Sequence, residues 1–180
     1  MDSNEKNFTG KVKLTDVEFL SYYDELWEKS SHRNNYPKPE EVEKNKIAGE
    51  LIYNSDEENL KNEKWEPLPS CESYQVSTLG RVKYNNKIVK QYDYGKIGYL
   101  RLDKEEKNVD HYVTVYTLVA KTFLQKKEGD GYDVHHIVNN GYDNRLSNLI
   151  LLTREQHNAV HSDKKYSLAE LQDILKLSIL

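Results

Sequence analysis

The chain has 180 residues, 37% of them hydrophobic, a formal net charge of −4 and a single cysteine, Cys71. That length suits one compact domain with an addition, or two small domains. No apolar run approaches the ~20 residues of a membrane span, the amino terminus lacks the basic-then-apolar order of a secretory signal, and one cysteine excludes an internal disulfide and a cysteine-cluster zinc site; a cytoplasmic protein is the expectation.

The chain opens on thirteen polar residues. Thr15 and Glu18 form a capping box for a helix over 16–27, with Phe19, Tyr22, Tyr23 and Leu26 on one face. Pro37 and Pro39 break the chain, and a second helix is predicted from Pro39 to about Tyr53, acidic in its first turn. Residues 54–64 are charged, show no hydrophobic period and read as a linker. From Trp65 the pattern turns to short strands: Tyr74–Ser77, Val82–Tyr84, Lys87–Lys90 and Tyr99–Leu102, with Asn85-Asn86 as a hairpin turn. His111–Val115 reads as another strand and Tyr116–Phe123 as a short apolar helix. A last helix starts from the capping box Ser167–Glu170 and carries Leu168, Leu171, Ile174, Leu175 and Leu177. Charge is unevenly spread: residues 1–63 hold nine Lys and Arg against fifteen Asp and Glu, whereas residues 74–127 hold eleven against five.

Four of the six histidines fall between Val134 and Ser162. We read this stretch as strand, loop, strand, helix. Val134–Val138 is the first strand, and residues 139–144 are rich in turn formers. Asn148–Leu152 is the second strand, and Thr153 with Gln156 caps the helix. His157 and His161, four apart on that helix, project from one face and together can chelate a divalent ion. His135 and His136 are neighbours on a strand and point to opposite sides, so one can ligate a metal while the other faces a substrate. Asn148 offers a carboxamide able to pin the loop or orient a base. Histidine serves both as metal ligand and as proton carrier near neutral pH.

This region resembles the HNH endonucleases of the ββα-metal (His-Me finger) group. The resemblance rests on His135-His136-Ile137, on Asp143 through Leu149, and on His157 with His161. The upstream segments Trp65–Pro69 and Tyr74–Val82 resemble the NUMOD-type module found beside HNH nucleases of phages and homing elements, and Tyr116–Phe123 resembles the helix that precedes the histidine motif. The resemblance implies a metal-dependent endonuclease that hydrolyses DNA. His136 would be the general base, with Asn148 organising the loop and orienting it. His135, His157 and His161 would hold one divalent ion. Many relatives with the NUMOD module carry Asp at the position of His135 and Asn at that of His157; the all-histidine set is closer to the bacterial-toxin branch and favours Zn, Ni or Mn for tight binding, with Mg still able to support turnover. The loop after His136-Ile137 also lacks the usual Asp-Gly.

The expected fold is α+β: a ββα-metal motif (109–165) after a small β-rich module (64–108), with an N-terminal helical appendage (1–63) and a C-terminal helix (166–180). The partner implied is double-stranded DNA. The expected contacts are Arg81, Lys83, Lys87, Lys90, Lys96 and Arg101 on the basic middle, and Arg145 and Arg154 near the histidines. No membrane and no small-molecule cofactor is expected, and the acidic N-terminal region is a candidate contact for a protein partner. Two other functions fit the same residues: a non-catalytic DNA- or protein-binding module that keeps the fold, and a toxin-type nonspecific nuclease.

Overall fold

The computed structural model describes residues 13–30, 38–47, 50–53, 57–92, 96–98 and 112–177. The strand expected over 99–102, with Arg101, and the first residue of the strand expected from His111 lie outside the described residues.

Helix α1 (Asp16–Ser30) forms where the apolar spacing places it. The Thr15 hydroxyl accepts from Glu18 N at 3.2 Å, and the Glu18 carboxylate accepts from Thr15 N at 2.9 Å. Such a box is worth about 1 kcal/mol. Phe19, Tyr23 and Leu26 are buried on the expected face.

The second helix is much shorter than its charge pattern suggested. Helix α2 spans only Pro39–Lys44 and buries no residue. Val42 is its one apolar side chain, so no face holds it against the core, and an isolated helix of this length is not self-supporting. Asn45 stops it, its Nδ2 donating to Glu41 O at 2.6 Å. The chain then reverses through β1 (Lys46–Ile47) and β2 (Glu50–Leu51), which bury Leu51 and bring Ile52 into the interior. The stretch expected as a linker contains a short helix, α3 (Glu57–Lys61), with no buried residue.

Strands β3 (Trp65–Leu68), β4 (Cys71–Ser77), β5 (Val82–Tyr84) and β6 (Lys87–Ile88) form one antiparallel sheet in that order. Pro67 is tolerated because β3 is an edge strand, and the register shifts beside it. Asn85 and Asn86 adopt φ of 45° and 65°, the left-handed pair of a tight hairpin. Strands β7 (Lys96–Gly98) and β8 (Tyr112–Thr114) pair separately, and helix α4 (Val115–Phe123) follows at once.

The histidine region is a hairpin of β9 (Tyr132–His136) and β10 (Leu149–Thr153), joined through a 3₁₀ turn at Leu146–Asn148, then helix α5 (Arg154–Val160) and helix α6 (Leu168–Ile174). Strand β9 begins two residues earlier than the valine pattern implied. Leu168, assigned to the apolar face of α6, is 59% exposed, and Leu171 and Leu175 hold the helix down.

Two cores meet at β10. Leu149 and Leu151 join a cluster with Val115, Leu118 and Val119 of α4 and with Tyr74, Val76 and Val82 of the four-stranded sheet. Ile150 and Leu152 join a second cluster with Phe19, Tyr23 and Leu26 of α1, Val160 of α5 and Leu171 of α6. Alternation along a strand sends neighbours to opposite faces; both faces of β10 are covered, so its sequence is apolar without interruption.

Helix α1 packs into this second cluster. Trp27 Nε1 donates to Ser162 O at 3.0 Å, Tyr166 N donates to the Tyr23 hydroxyl at 2.9 Å, and Lys13 bridges to Leu151. Glu50 and Glu63 are tied in as well. Arg81 Nη1 donates to the fully buried Glu50 at 2.7 Å, and its other nitrogens pair with Glu63. Part of the N-terminal acidic excess thus neutralises one half-buried guanidinium, whose pKa the two carboxylates, Glu63 first, raise further. Among the described residues, no helix is long and apolar enough to cross a membrane.

Candidate metal and catalytic site

The β9–β10 register sets His136 opposite Leu149 and His135 opposite Ile150. His135 thereby shares the face of Ile150 and turns towards α5. Helix α5 starts at once after β10 because Thr153 caps it: the Thr153 hydroxyl accepts from Gln156 N at 3.2 Å and Gln156 Oε1 accepts from Thr153 N at 3.1 Å. The same Gln156 donates to Leu14 O and to Asp16 Oδ1, which fixes the pitch of α5 against α1. His157 lies one turn into α5, and His161 closes it.

The three rings converge. Ring centroids are 5.2 Å apart for His135 and His157, 5.0 Å for His135 and His161, and 4.7 Å for His157 and His161. Each offers a nitrogen, and the three donor atoms lie within 4.8 Å of one another. His161 Nε2 is 3.2 Å from His135 Nδ1. Nearby, His157 Nδ1 faces Asp133 Oδ2 at 3.5 Å, and that buried oxygen has no hydrogen-bond partner among the described residues. A carboxylate behind one ring nitrogen leaves the other nitrogen for a metal, so the donor set fits a divalent ion. All-imidazole ligation suits Zn or Ni more than Mg.

His136 points to the other face of β9. Its ring meets Tyr116 edge-on at 5.1 Å, and its Nε2 lies 2.8 Å from Asn144 Oδ1. An amide oxygen only accepts, so Nε2 carries the proton and Nδ1 keeps a lone pair. Asn148 does not touch this ring; it spans the loop. Its Oδ1 accepts from Val138 N at 2.8 Å and its Nδ2 donates to Asp143 O at 3.0 Å. Asn148 thus ties Val138, two residues after His136, to Asp143, the neighbour of Asn144. The loop is also buttressed from the four-stranded sheet. Leu146 N donates to Thr78 O at 2.9 Å, and a Cβ on Gly80 (φ +75°) would stand 2.8 Å from Asn144 O.

All four rings are held below the ordinary histidine pKa of 6.5. Burial is the main cause for each; for His135 the neighbouring His161 and His157 add to it, and for His136 the bond to Asn144 opposes it. Neutral imidazoles are what a metal ligand or a general base requires. Linkage follows from the direction of the shift. Below pH 6.5 the unfolded chain takes up protons that the native rings refuse, so stability present above that pH is lost as the pH falls. The loss is up to about 1.4 kcal/mol per pH unit for each ring that stays neutral. The thermal midpoint of the metal-free protein is expected to be flat above neutrality and to fall on acidification through the histidine range. An unchanged midpoint down to the carboxylate range would contradict the burial of neutral rings.

Residues 125–159 match the family model described as HNH endonuclease, and residues 63–115 match the NUMOD4 motif. The chain carries an HNH endonuclease motif beside a NUMOD4 motif. An uncharacterised HNH endonuclease, L245, of Acanthamoeba polyphaga mimivirus is 33% identical over 127 residues, covering 67% of this chain and 37% of that protein. A second, L247 of the same virus, is 34% identical over 103 residues, covering 54% of this chain and 25% of that protein. The chain thus spans between 25% and 37% of the length of these curated relatives. The solved structure of the HNH homing endonuclease I-HmuI, described for DNA binding and cleavage, aligns over 63% of this chain and 67% of that one, at 26% identity and a TM-score of 0.45.

The HNH match spans His135, His136 and His157 and stops two residues short of His161; the structure brings His135, His157 and His161 together and sets His136 apart. The basic residues scatter more. Arg81 is clamped by Glu50 and Glu63, its guanidinium 5.4 Å from the Trp65 ring centroid. Arg145 forks onto Asp143, both contacts at 2.7 Å. Arg154 is 69% exposed, 3.1 Å from Asp133. Lys87 and Lys90 are exposed, and Lys83 Nζ stands 3.9 Å from the Trp65 ring centroid. Lys96 lies on β7, and its side chain is not among those described. Sequence reasoning missed Asn144, Asp133 and Ser30. Asp133 had a faint signal, two residues before His135 on the same strand face. The other two had none.

Proposed function

We propose that this chain is a metal-dependent endonuclease that hydrolyses DNA phosphodiester bonds. The observation that carries this reading is the split of adjacent histidines: His135 completes a three-imidazole cluster with donor atoms within 4.8 Å, while His136 stands apart with its Nε2 on Asn144. A binding module would have no use for the second, separately held ring.

In this reading His135, His157 and His161 hold one divalent ion. That ion, once bound, would supply a Lewis acid for the scissile phosphate and its departing 3′ oxygen. His136 takes the proton of the attacking water at Nδ1, and Asn144 keeps the opposite nitrogen protonated so that Nδ1 stays free. Hydrolysis leaves 5′-phosphate and 3′-hydroxyl ends. Lys83, Lys87, Lys90 and Arg154 supply the phosphate contacts, and binding weakens steeply with salt. Double-stranded DNA is the substrate class, supported by the NUMOD4 motif next to the nuclease motif. A viral or mobile-element origin and action in the cytoplasm belong to the same reading, since both matched relatives are encoded by a mimivirus.

Incubation with supercoiled plasmid tests it. Nicked or linear product is expected with Mg, Mn, Ni or Zn ions, and none with EDTA. Absence of product across all four ions, or product that survives EDTA, overturns the assignment.

A further inference from the structure

We propose that Ser30 is a positioning residue for the three-histidine cluster: its hydroxyl fixes His135 as the Nε2–H tautomer and so leaves Nδ1 bare towards His157 and His161. This rests on reading the cluster as a divalent-metal site. Ser30 ends α1, 105 residues before His135 and outside both matched segments.

The Ser30 side chain is 1% exposed. Its Oγ lies 3.1 Å from the Ile137 carbonyl oxygen and 2.8 Å from His135 Nε2. A carbonyl oxygen can only accept, so the single hydroxyl proton goes to Ile137. The serine oxygen is then an acceptor for His135, and the proton of that neutral imidazole sits on Nε2. The remaining nitrogen, Nδ1, is the one 3.2 Å from His161 Nε2.

Remove the hydroxyl, and Nε2–H becomes a donor with no partner in a pocket closed to water. Leaving such a group unpaired costs about 1–3 kcal/mol. The ring escapes this by moving its proton to Nδ1, where His161 Nε2 can accept it. That tautomer has no lone pair at the position where the three donor nitrogens meet. Ser30 thus decides which of two neutral forms of His135 is present. Asp133 stands in the equivalent place behind His157. Of these two groups behind the rings, only Ser30, at the end of α1, makes a hydrogen bond to its ring. The docking of α1 is in this way written into the donor set.

Three full-length proteins test the proposal: the parent, Ser30→Ala, and Tyr23→Phe. The last removes the hydroxyl that accepts from Tyr166 N and loosens α1 without touching the cluster. Imidazole ¹⁵N–¹H correlation spectra of the metal-free proteins should show His135 as Nε2–H in the parent and in Tyr23→Phe, and as Nδ1–H or a mixture in Ser30→Ala. Zn²⁺ affinity, measured by competition with a chromophoric chelator, should fall about 10- to 100-fold in Ser30→Ala, the range for losing a partner behind a ligand, and hold in Tyr23→Phe. An unchanged tautomer and affinity in Ser30→Ala overturns the proposal, as does an equal loss in Tyr23→Phe. A parent protein that binds no divalent ion overturns the metal reading itself, whatever the spectra of Ser30→Ala show.

Discussion

Replacing His136 with alanine is expected to lower plasmid cleavage by about 10²- to 10⁴-fold, the usual contribution of a positioned general base, with divalent-metal affinity unchanged. The two effects separate because adjacent strand residues face opposite ways. His135 belongs to the cluster with His157 and His161, and His136 belongs to Asn144 and Tyr116. The parent should also keep its rate on mild acidification, because burial holds the His136 pKa below 6.5; the rate falls only as the pH drops through that lowered value. Steady-state nicking at several pH values, with metal affinity measured in parallel, checks both points. A His136→Ala protein that cleaves at the parent rate removes this ring from the chemistry.

His161→Ala should abolish most of the stabilisation that a divalent ion gives the fold. A ligand present at 1,000 times its Kd adds about 4.1 kcal/mol to the native state. Losing only a partner behind a ligand costs about 10- to 100-fold in affinity, so deleting a ligand should cost more. The choice of His161 matters. It closes α5 at the surface, whereas His135 is 1% exposed. Truncating His135 would leave a cavity and confuse lost binding with lost folding; truncating His161 should leave the metal-free midpoint close to that of the parent. Thermal midpoints with and without Zn²⁺ provide the measurement. If the zinc-induced rise is as large in His161→Ala as in the parent, this ring is not a ligand.

Local rules carried the sequence reading a long way. The boxes at Thr15, Thr153 and Ser167 each need only four residues, and each forms where the sequence puts it. The asparagine hairpin and the opposed facing of His135 and His136 are equally local. What escaped depends on partners far away in the chain. The charge pattern that suggested a helix through residue 53 could not reveal that α2 buries no residue. Arg81 read as a surface cation because Glu50 and Glu63, which surround it, lie 31 and 18 residues away. Asn148 was the conspicuous asparagine by spacing, yet the amide that reaches His136 is Asn144, four residues earlier, because Asn148 spends its hydrogen bonds on Val138 and Asp143. The first sixty residues looked separable by their acidity, while the side chains that bury α1 are few and need Ile150 and Leu152 to give them meaning.

The strand shared by both interiors limits how this protein can be cut or shuffled. Leu149 and Leu151 serve one side and Ile150 and Leu152 the other, so neither half retains a complete interior without the other. A fragment trimmed to the segments recognisable by homology would strip Ile150 and Leu152 of their cover and present a greasy ribbon to solvent, an invitation to self-association. Grafting the histidine hairpin onto a different neighbouring module therefore means carrying the leading helix along with it.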